Sequence, residues 1–388
     1  MIPYLRAANV KDGRLDLTDV KTMNFTPAEQ QVFALRPGDV LVTEGSGSLR
    51  AVGASSVWSG EIPGTVCFQN TLLRLRPRPM TDARFLAWWC RYAFADGLLA
   101  SAATGANIFH VSADRVRALP VKYLPLPSQR AIADYLDNET VRIDALIGKK
   151  RHLVELLDER LPIQLHDAAV GKNHPSASRK TVTGGWFDSI PDHWEVRPLK
   201  SLTSFVNGMA FRPDEWAETG LPIIRIENLN GGDDFNFTDR NVDEGLKVRA
   251  GDLLFGWSGN RGTSFGPFRW ERTGTFALNQ HIFRLPAPGV NRDWLYWALR
   301  AATPYVEELA HGIIGMVHIT KNKLGGIRLP VPPADEQREI ADHLNTLDAK
   351  HRRLRGYLDQ QLAILTERRQ ALITAAVTGE LTIPGVTA

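Results

Sequence analysis

The chain carries one segment twice. Residues 128–136 read SQRAIADYL and residues 336–344 read EQREIADHL, 208 positions apart with six of nine residues identical. The same offset pairs His110-Val111-Ser112 with His318-Ile319-Thr320. Upstream the offset drifts slightly. Leu35-Arg36-Pro37-Gly38-Asp39-Val40-Leu41 answers Val248-Arg249-Ala250-Gly251-Asp252-Leu253-Leu254, and Phe85-Leu86-Ala87-Trp88 answers Trp294-Leu295-Tyr296-Trp297. Solenoid repeats have periods of about 20–50 residues, so this is not a solenoid. It implies two similar domains, in a chain of 388 residues long enough to give each a core. Two similar heads can read two similar things at a fixed distance.

Short apolar runs separated by Gly, Asp and Pro mark residues 1–122 as the first head. VLV (40–42), TVCF (65–68) and TLLRLR (71–76) predict strands. Residues 82–95 predict a helix capped by Asp82, with Phe85, Leu86, Trp89 and Tyr92 on its packed face. Residues 186–328 repeat this head with an extra piece at the front, and predict strands at 222–226, 252–257 and 281–285 and a helix at 293–302. Each head ends in a proline break, YLPLP (123–127) and LPVPP (329–333), which disfavours helix. A long helix then begins. The first runs from a Ser128 cap to about residue 170 within segment 123–172, its seam being Leu136, Ile143, Ile147, Val154, Leu157, Leu161 and Leu165, and Pro162 is expected to kink or end it. A polar linker, 173–185, follows. The second helix occupies segment 329–380, with a seam of Ile340, Leu344, Leu347, Leu354, Leu358, Leu365 and Leu372. Alternating steps of three and four are coiled-coil spacing. The stripes are too long for a compact head to bury, so the two helices are expected to pack on each other. The fold class expected is mixed α/β: two globular domains separated by two long antiparallel coiled-coil helices, with a pseudo-two-fold internal repeat.

Composition narrows the function without naming it. A net charge of +3 permits a nucleic-acid partner but does not demand one. Cys67 and Cys90 lie in apolar surroundings and fit no metal or disulfide spacing, which suits buried thiols in a reducing cytoplasm. No apolar run of about 18 residues and no signal-peptide pattern is visible, so no membrane partner is expected. No phosphate-cradling loop, amino-methyltransferase motif or nucleophile signature is present, and GSGS (45–48) and GGW (184–186) read as turns. No two histidines stand at metal-ligand spacing, and the matched His110 and His318 suit a capping or core role better than catalysis. No catalytic residue and no metal is assigned.

The segment LPVPPADEQREIADHLNTLD (329–348) resembles the conserved regions of the specificity subunit of type I restriction–modification systems. LPLPSQRAIADYLDNETVRID (124–144) keeps that pattern, although Ser128 stands where Glu336 does. GWFDSIPDHWEVRPLKSL (185–202) resembles the start of a target recognition domain of that family, and ITAAVTGEL (373–381) resembles its end. The resemblance implies a non-catalytic DNA-reading subunit. Each target recognition domain would read one half of a bipartite, asymmetric sequence. The paired helices would set the gap and dock two methyltransferase subunits that carry S-adenosylmethionine. Restriction motor-nuclease subunits using ATP and Mg would join, and the chain itself would bind no cofactor.

Base reading needs Arg, Lys, Asn or Gln on exposed loops. The loop GWSGNRGTSFG (256–266) offers Asn260 and Arg261, and its counterpart TEGSGSLRAVG (43–53) offers Arg50. Arg6 with Asn9 and Arg225 with Asn228 are matched pairs after the first shared strand. Gln69-Asn70 and Asn279-Gln280-His281 are matched clusters before another strand, of which Gln69, Asn70, Gln280 and His281 are the candidates. Lys321 and Lys323 form a basic cluster suited to phosphates. The run Lys350–Arg355 faces either DNA or water. Two other readings stay open: a coiled-coil adaptor joining protein partners, or a metal-dependent nuclease. About 34 residues before Leu221, including 194–202, have no counterpart before Met1, so the first head is expected to be shortened and the subunit could be an inactive, truncated one.

Overall fold

The computed structural model describes residues 1–172, 174, 178–312 and 316–386. The chain forms two compact units, Met1–His152 with Leu358–Ala388, and Leu153–Tyr357. Each unit thus holds one head together with part of both long helices.

In the first unit, Val40–Thr43 lies antiparallel to Ser55–Val57 and Leu72–Leu75. Helix α1, Ala83–Ala95, begins where expected: the Asp82 carboxylate accepts from the amides of Arg84 (3.0 Å) and Phe85 (3.2 Å). It buries Phe85, Trp88, Trp89, Cys90 and Ala93, whereas Leu86 and Tyr92 are half-buried. A second sheet pairs Ile2–Leu5 antiparallel with Lys21–Met23 and parallel with Cys67–Phe68. Both thiols are buried, and burial pushes Cys90 up to about 12.

The second unit repeats the plan with more strands. Leu253–Gly256 lies between Gly266–Arg269 and Ile282–Arg284, and Val206–Asn207 adds a fourth strand. Leu221–Ile224 pairs antiparallel with Asn236–Thr238 and parallel with Thr275–Leu278, which also pairs Lys247–Arg249. The segment after Trp194 forms strand Glu195–Pro198 and then a short 3-10 turn, Leu199–Ser201.

The repeated Gly-Asp motif has one structural cause. Gly38 and Gly251 have φ of +92° and +88°, a region that favours glycine. The following aspartate accepts from the amide three residues back, Asp39 from Arg36 and Asp252 from Arg249, both at 2.8 Å.

The long helices are α2, Leu126–Ala169, and α4, Ala334–Thr378; α3 is Arg292–Leu309. Two expectations need correction. Pro127 lies inside the first turn of α2, where a missing N–H costs no intrahelical bond. Helix α3 runs through Pro304 well beyond residue 302. Helix α2 continues through Pro162 and ends at Ala169, close to the expected residue 170. The pairing is antiparallel. In the first unit Asp144 pairs with Arg369 (2.8 Å) and Lys150 with Gln361. In the second, Asp158 pairs with His351 (3.6 Å) and Arg355, while Leu161 and Leu165 pack with Leu344. Leu354, expected in the seam, is 40% exposed, because His351 and Arg355 face α2 there.

The repeated Gln-Arg-x-Ile-Ala-Asp explains itself at the start of each long helix. Gln129 accepts from the Asp82 amide (2.9 Å) and donates to the carbonyls of Leu124 (2.8 Å) and Met80 (3.0 Å). Gln337 accepts from the Asn291 amide (2.8 Å) and donates to the Pro332 carbonyl (2.9 Å). Trp88 donates to Asp137 at 2.8 Å, and Trp297 to Asn345 at 2.9 Å. Each staple joins the cap of a head helix to a long helix, so both halves keep it.

Candidate nucleic-acid interface

Strand Leu253–Gly256 delivers the chain into Trp257, whose backbone organises three loops. Its amide donates to the His281 carbonyl (3.2 Å), and its carbonyl accepts from the Ile319 amide (3.0 Å). Its indole N–H donates to the Gln280 carbonyl at 3.0 Å, and its ring stacks on Phe283 at 5.7 Å. Ser258–Asn260 then pairs antiparallel with Met316–His318. The loop carrying Asn260 and Arg261, the turn of Gln280 and His281, and the segment leading to Lys321 therefore meet around one indole. Sequence reasoning missed Trp257; an aromatic residue at a strand exit was its only signal.

The loop is built rigidly from its own backbone. The Asn260 carbonyl accepts from the amides of Thr263, Ser264 and Phe265, and the Asn260 amide donates to Ser264 Oγ at 2.7 Å. A Cβ on Gly259 would meet Ser264 Oγ at 2.5 Å, so the close approach needs glycine there. Asn260 and Arg261 are exposed, and their side chains make no hydrogen bond among the described residues. Gln280 is exposed and touches the His281 ring at 3.2 Å. Burial pushes the His281 imidazole below its ordinary value.

The first head keeps the same skeleton. Gly45–Ser46 pairs with Phe109–His110, as Ser258–Asn260 does with Met316–His318. The Glu44 carbonyl accepts from Val111 (2.9 Å), as Trp257 does from Ile319. Arg50 and Asn70 are exposed and Gln69 is half-buried. His110 and His318 are exposed edge residues, two positions before the caps Ser112 and Thr320, so the expected core or capping role is not where they sit.

The Arg–Asn pairs behave differently from the loops. Asn9 and Asn228 are each 2% exposed. Asn9 accepts from the Arg6 amide and donates to the carbonyls of Asp16 and Asp19. Asn228 accepts from the Arg225 amide and donates to those of Gly232 and Asp234. Both carboxamides are spent inside a turn, which suits a scaffold rather than the expected DNA contact. Arg6 pairs with Asp19 at 2.5 Å, and Arg225 lies over Trp216 and donates to Asn236 at 2.8 Å. Lys321 donates to the Phe205 carbonyl and Lys323 contacts His311 Nε2, both remaining exposed at the start of helix Lys321–Gly326. Within 350–355, Arg352 pairs with Asp348 and Arg355 with Asp158.

Residues 191–361 match the type I restriction modification DNA specificity domain. The specificity subunit of the EcoKI type I restriction enzyme of Escherichia coli is 24% identical, over 98% of this chain and 82% of that one. The MjaVIII specificity subunit of Methanocaldococcus jannaschii is also 24% identical, over 89% and 79%. Along most of its length the chain is thus similar to type I specificity subunits. The fold agrees. The HsdS subunit of Thermoanaerobacter tengcongensis superposes with a TM-score of 0.55 at 19% identity, covering 98% of this chain and 91% of that one. A chain from a structure of complex assembly and conformational transition of the type I R-M system gives 0.71 at 19%, covering 98% and 92%. No helix among the described residues is long and apolar enough to cross a membrane.

Proposed function

We propose that this protein is a specificity subunit, the DNA-reading, non-catalytic component of a type I restriction–modification complex. Each head reads one half of a bipartite, asymmetric duplex target. The observation that carries this is the repeated loop scaffold: in both heads the loop that follows a paired strand carries an exposed arginine, Arg50 or Arg261, and the turn before another strand carries an exposed side-chain amide, Asn70 or Gln280. Such groups make bidentate contacts to base edges. Arg261, Asn260 and Gln280 read the second half-site, with His281 shaping the turn. Arg50, Gln69 and Asn70 read the first. Arg6 and Arg225 flank these loops, on turns that Asn9 and Asn228 hold, and Lys321 and Lys323 meet phosphates.

The antiparallel helices fix the gap between half-sites and dock two methyltransferase subunits, and motor-nuclease subunits complete the restriction complex. S-adenosylmethionine belongs to the first partner, ATP and Mg to the second, all in the cytoplasm. Methylome sequencing of cells carrying this subunit and its methyltransferase tests the reading. A bipartite methylated motif is expected, and exchange of residues 186–328 for a relative's domain is expected to change one half only. Simultaneous change of both halves would refute independent reading.

A further inference from the structure

Three side chains far apart in sequence converge at the start of α4. His174 Nε2 lies 3.2 Å from Glu336 Oε2, and His193 Nε2 lies 2.7 Å from Glu336 Oε1. One ligand atom from each residue lies within 4.8 Å of the other two. The residues are 25%, 39% and 22% exposed at the side chain, so one edge of the cluster is open to water. No sequence spacing reveals the group, because its members come from the segment leading into the second head, the turn before strand Glu195–Pro198, and the first turn of α4.

We propose that His174, His193 and Glu336 form a binding site for a divalent transition-metal ion of the zinc class. Two imidazole nitrogens and one carboxylate make a borderline donor set, which suits Zn²⁺ or Co²⁺ and not the all-oxygen shells of Mg²⁺ or Ca²⁺. Water completes a tetrahedron on the open edge. The supporting shell is in place: the buried Trp194 indole donates to Glu336 Oε2 at 2.7 Å, which orients the carboxylate as outer-shell partners of metal ligands do. The ion would tie the chain entering the second head to the helix that leaves it. The repeat supplies an internal control. The position of Glu336 is Ser128 in the first half, fully buried, so the site belongs to the second half alone.

The test uses the full chain, stripped with chelator and titrated with Co²⁺, then with Zn²⁺. One equivalent of Co²⁺ should bind with visible ligand-field bands, and Zn²⁺ should displace it. His193→Ala, on the surface, and Glu336→Gln, which can still accept from Trp194, should each weaken binding at least tenfold with far-UV circular dichroism unchanged. Ser128→Ala should leave it intact. Absence of saturable binding at tenfold excess of metal, or an equivalent that survives both ligand substitutions, overturns the proposal.

Discussion

The two heads share a scaffold but not a complete core. In the second, strand Arg328–Val331 pairs with Glu195–Pro198, and Leu199 and Leu202 pack beside Leu295, Ala298, Leu329 and Val331. In the first, the corresponding stretch, residues 120–123, forms no strand. Val121 is 49% and Tyr123 81% exposed. Beside them opens a cavity of roughly 450 Å³, lined by Met80, Phe85, Leu86, Trp89 and Leu124. Of these, Leu86 and Trp89 correspond in sequence to Leu295 and Ala298, which share a buried cluster with Leu199 and Leu202 in the second head. The repeat preserves what holds a head on its helix, the Gln staple and the Trp pair. It does not preserve the layer that closes the head. An exposed, unpaired segment beside an open apolar cavity predicts that the first head is the less stable one.

The largest expected effect breaks or sharpens this contrast directly. Amides of residues 121–123 should exchange hydrogen without protection, and those of the Arg328–Val331 strand should be protected by at least about a hundredfold, as ladder amides are relative to open segments. Limited proteolysis should cut within residues 1–122 first. Equal protection at both stretches would show that the first head is closed by some other means.

The staples should show the opposite behaviour, symmetry. Gln129→Ala and Gln337→Ala each strand buried backbone groups, so each should cost about 2–3 kcal/mol in chemical denaturation of its own unit. A large difference between the two costs would mean that the matched hydrogen bonds do not carry matched energies.

The pattern of what sequence reveals follows from this. The Gln-Arg-x-Ile-Ala-Asp segments were legible because their side chains answer local, repeated backbone geometry: a helix start, a cap, a packed face. The antiparallel pairing was legible in the stripes. Leu354 was misplaced because the ion pairs of Asp158 override the apolar spacing locally. The loops were only partly legible. Asn9 and Asn228 look like readers in sequence, and only the structure shows their carboxamides turned inward. Trp257, and the His174–His193–Glu336 group, depend on contacts between distant segments that no linear spacing encodes.

Reading by the two heads should differ less than their stability does. Arg261→Ala should remove about 1–3 kcal/mol of discrimination at one base of the second half-site, as loss of a bidentate contact does, and Arg50→Ala should do the same in the first. Lys321→Ala should instead weaken all sequences alike and flatten the salt slope. Binding of matched and mismatched duplexes by the assembled complex separates these outcomes. Equal losses on both duplexes for Arg261→Ala would remove it from the base readers.

The smallest effect concerns pH and belongs to the second head alone. Burial holds the His281 ring below its ordinary value, and its Nδ1 is a buried atom without a partner among the described residues. The folded chain therefore binds this proton less readily than the unfolded chain. The resulting stability is full above about pH 6.5, the ordinary histidine value, and is lost as pH falls below it toward the folded-state value. The first head offers Thr71, which does not titrate, at the matched position. The denaturation midpoint of the second unit should thus drop modestly between pH 7 and pH 5 by this route, and His281→Gln should flatten that part of the slope. An unchanged slope in the variant would show that the ring protonates as freely in the folded head as in the open chain. His281 would then be free to meet DNA as a cation at mildly acid pH.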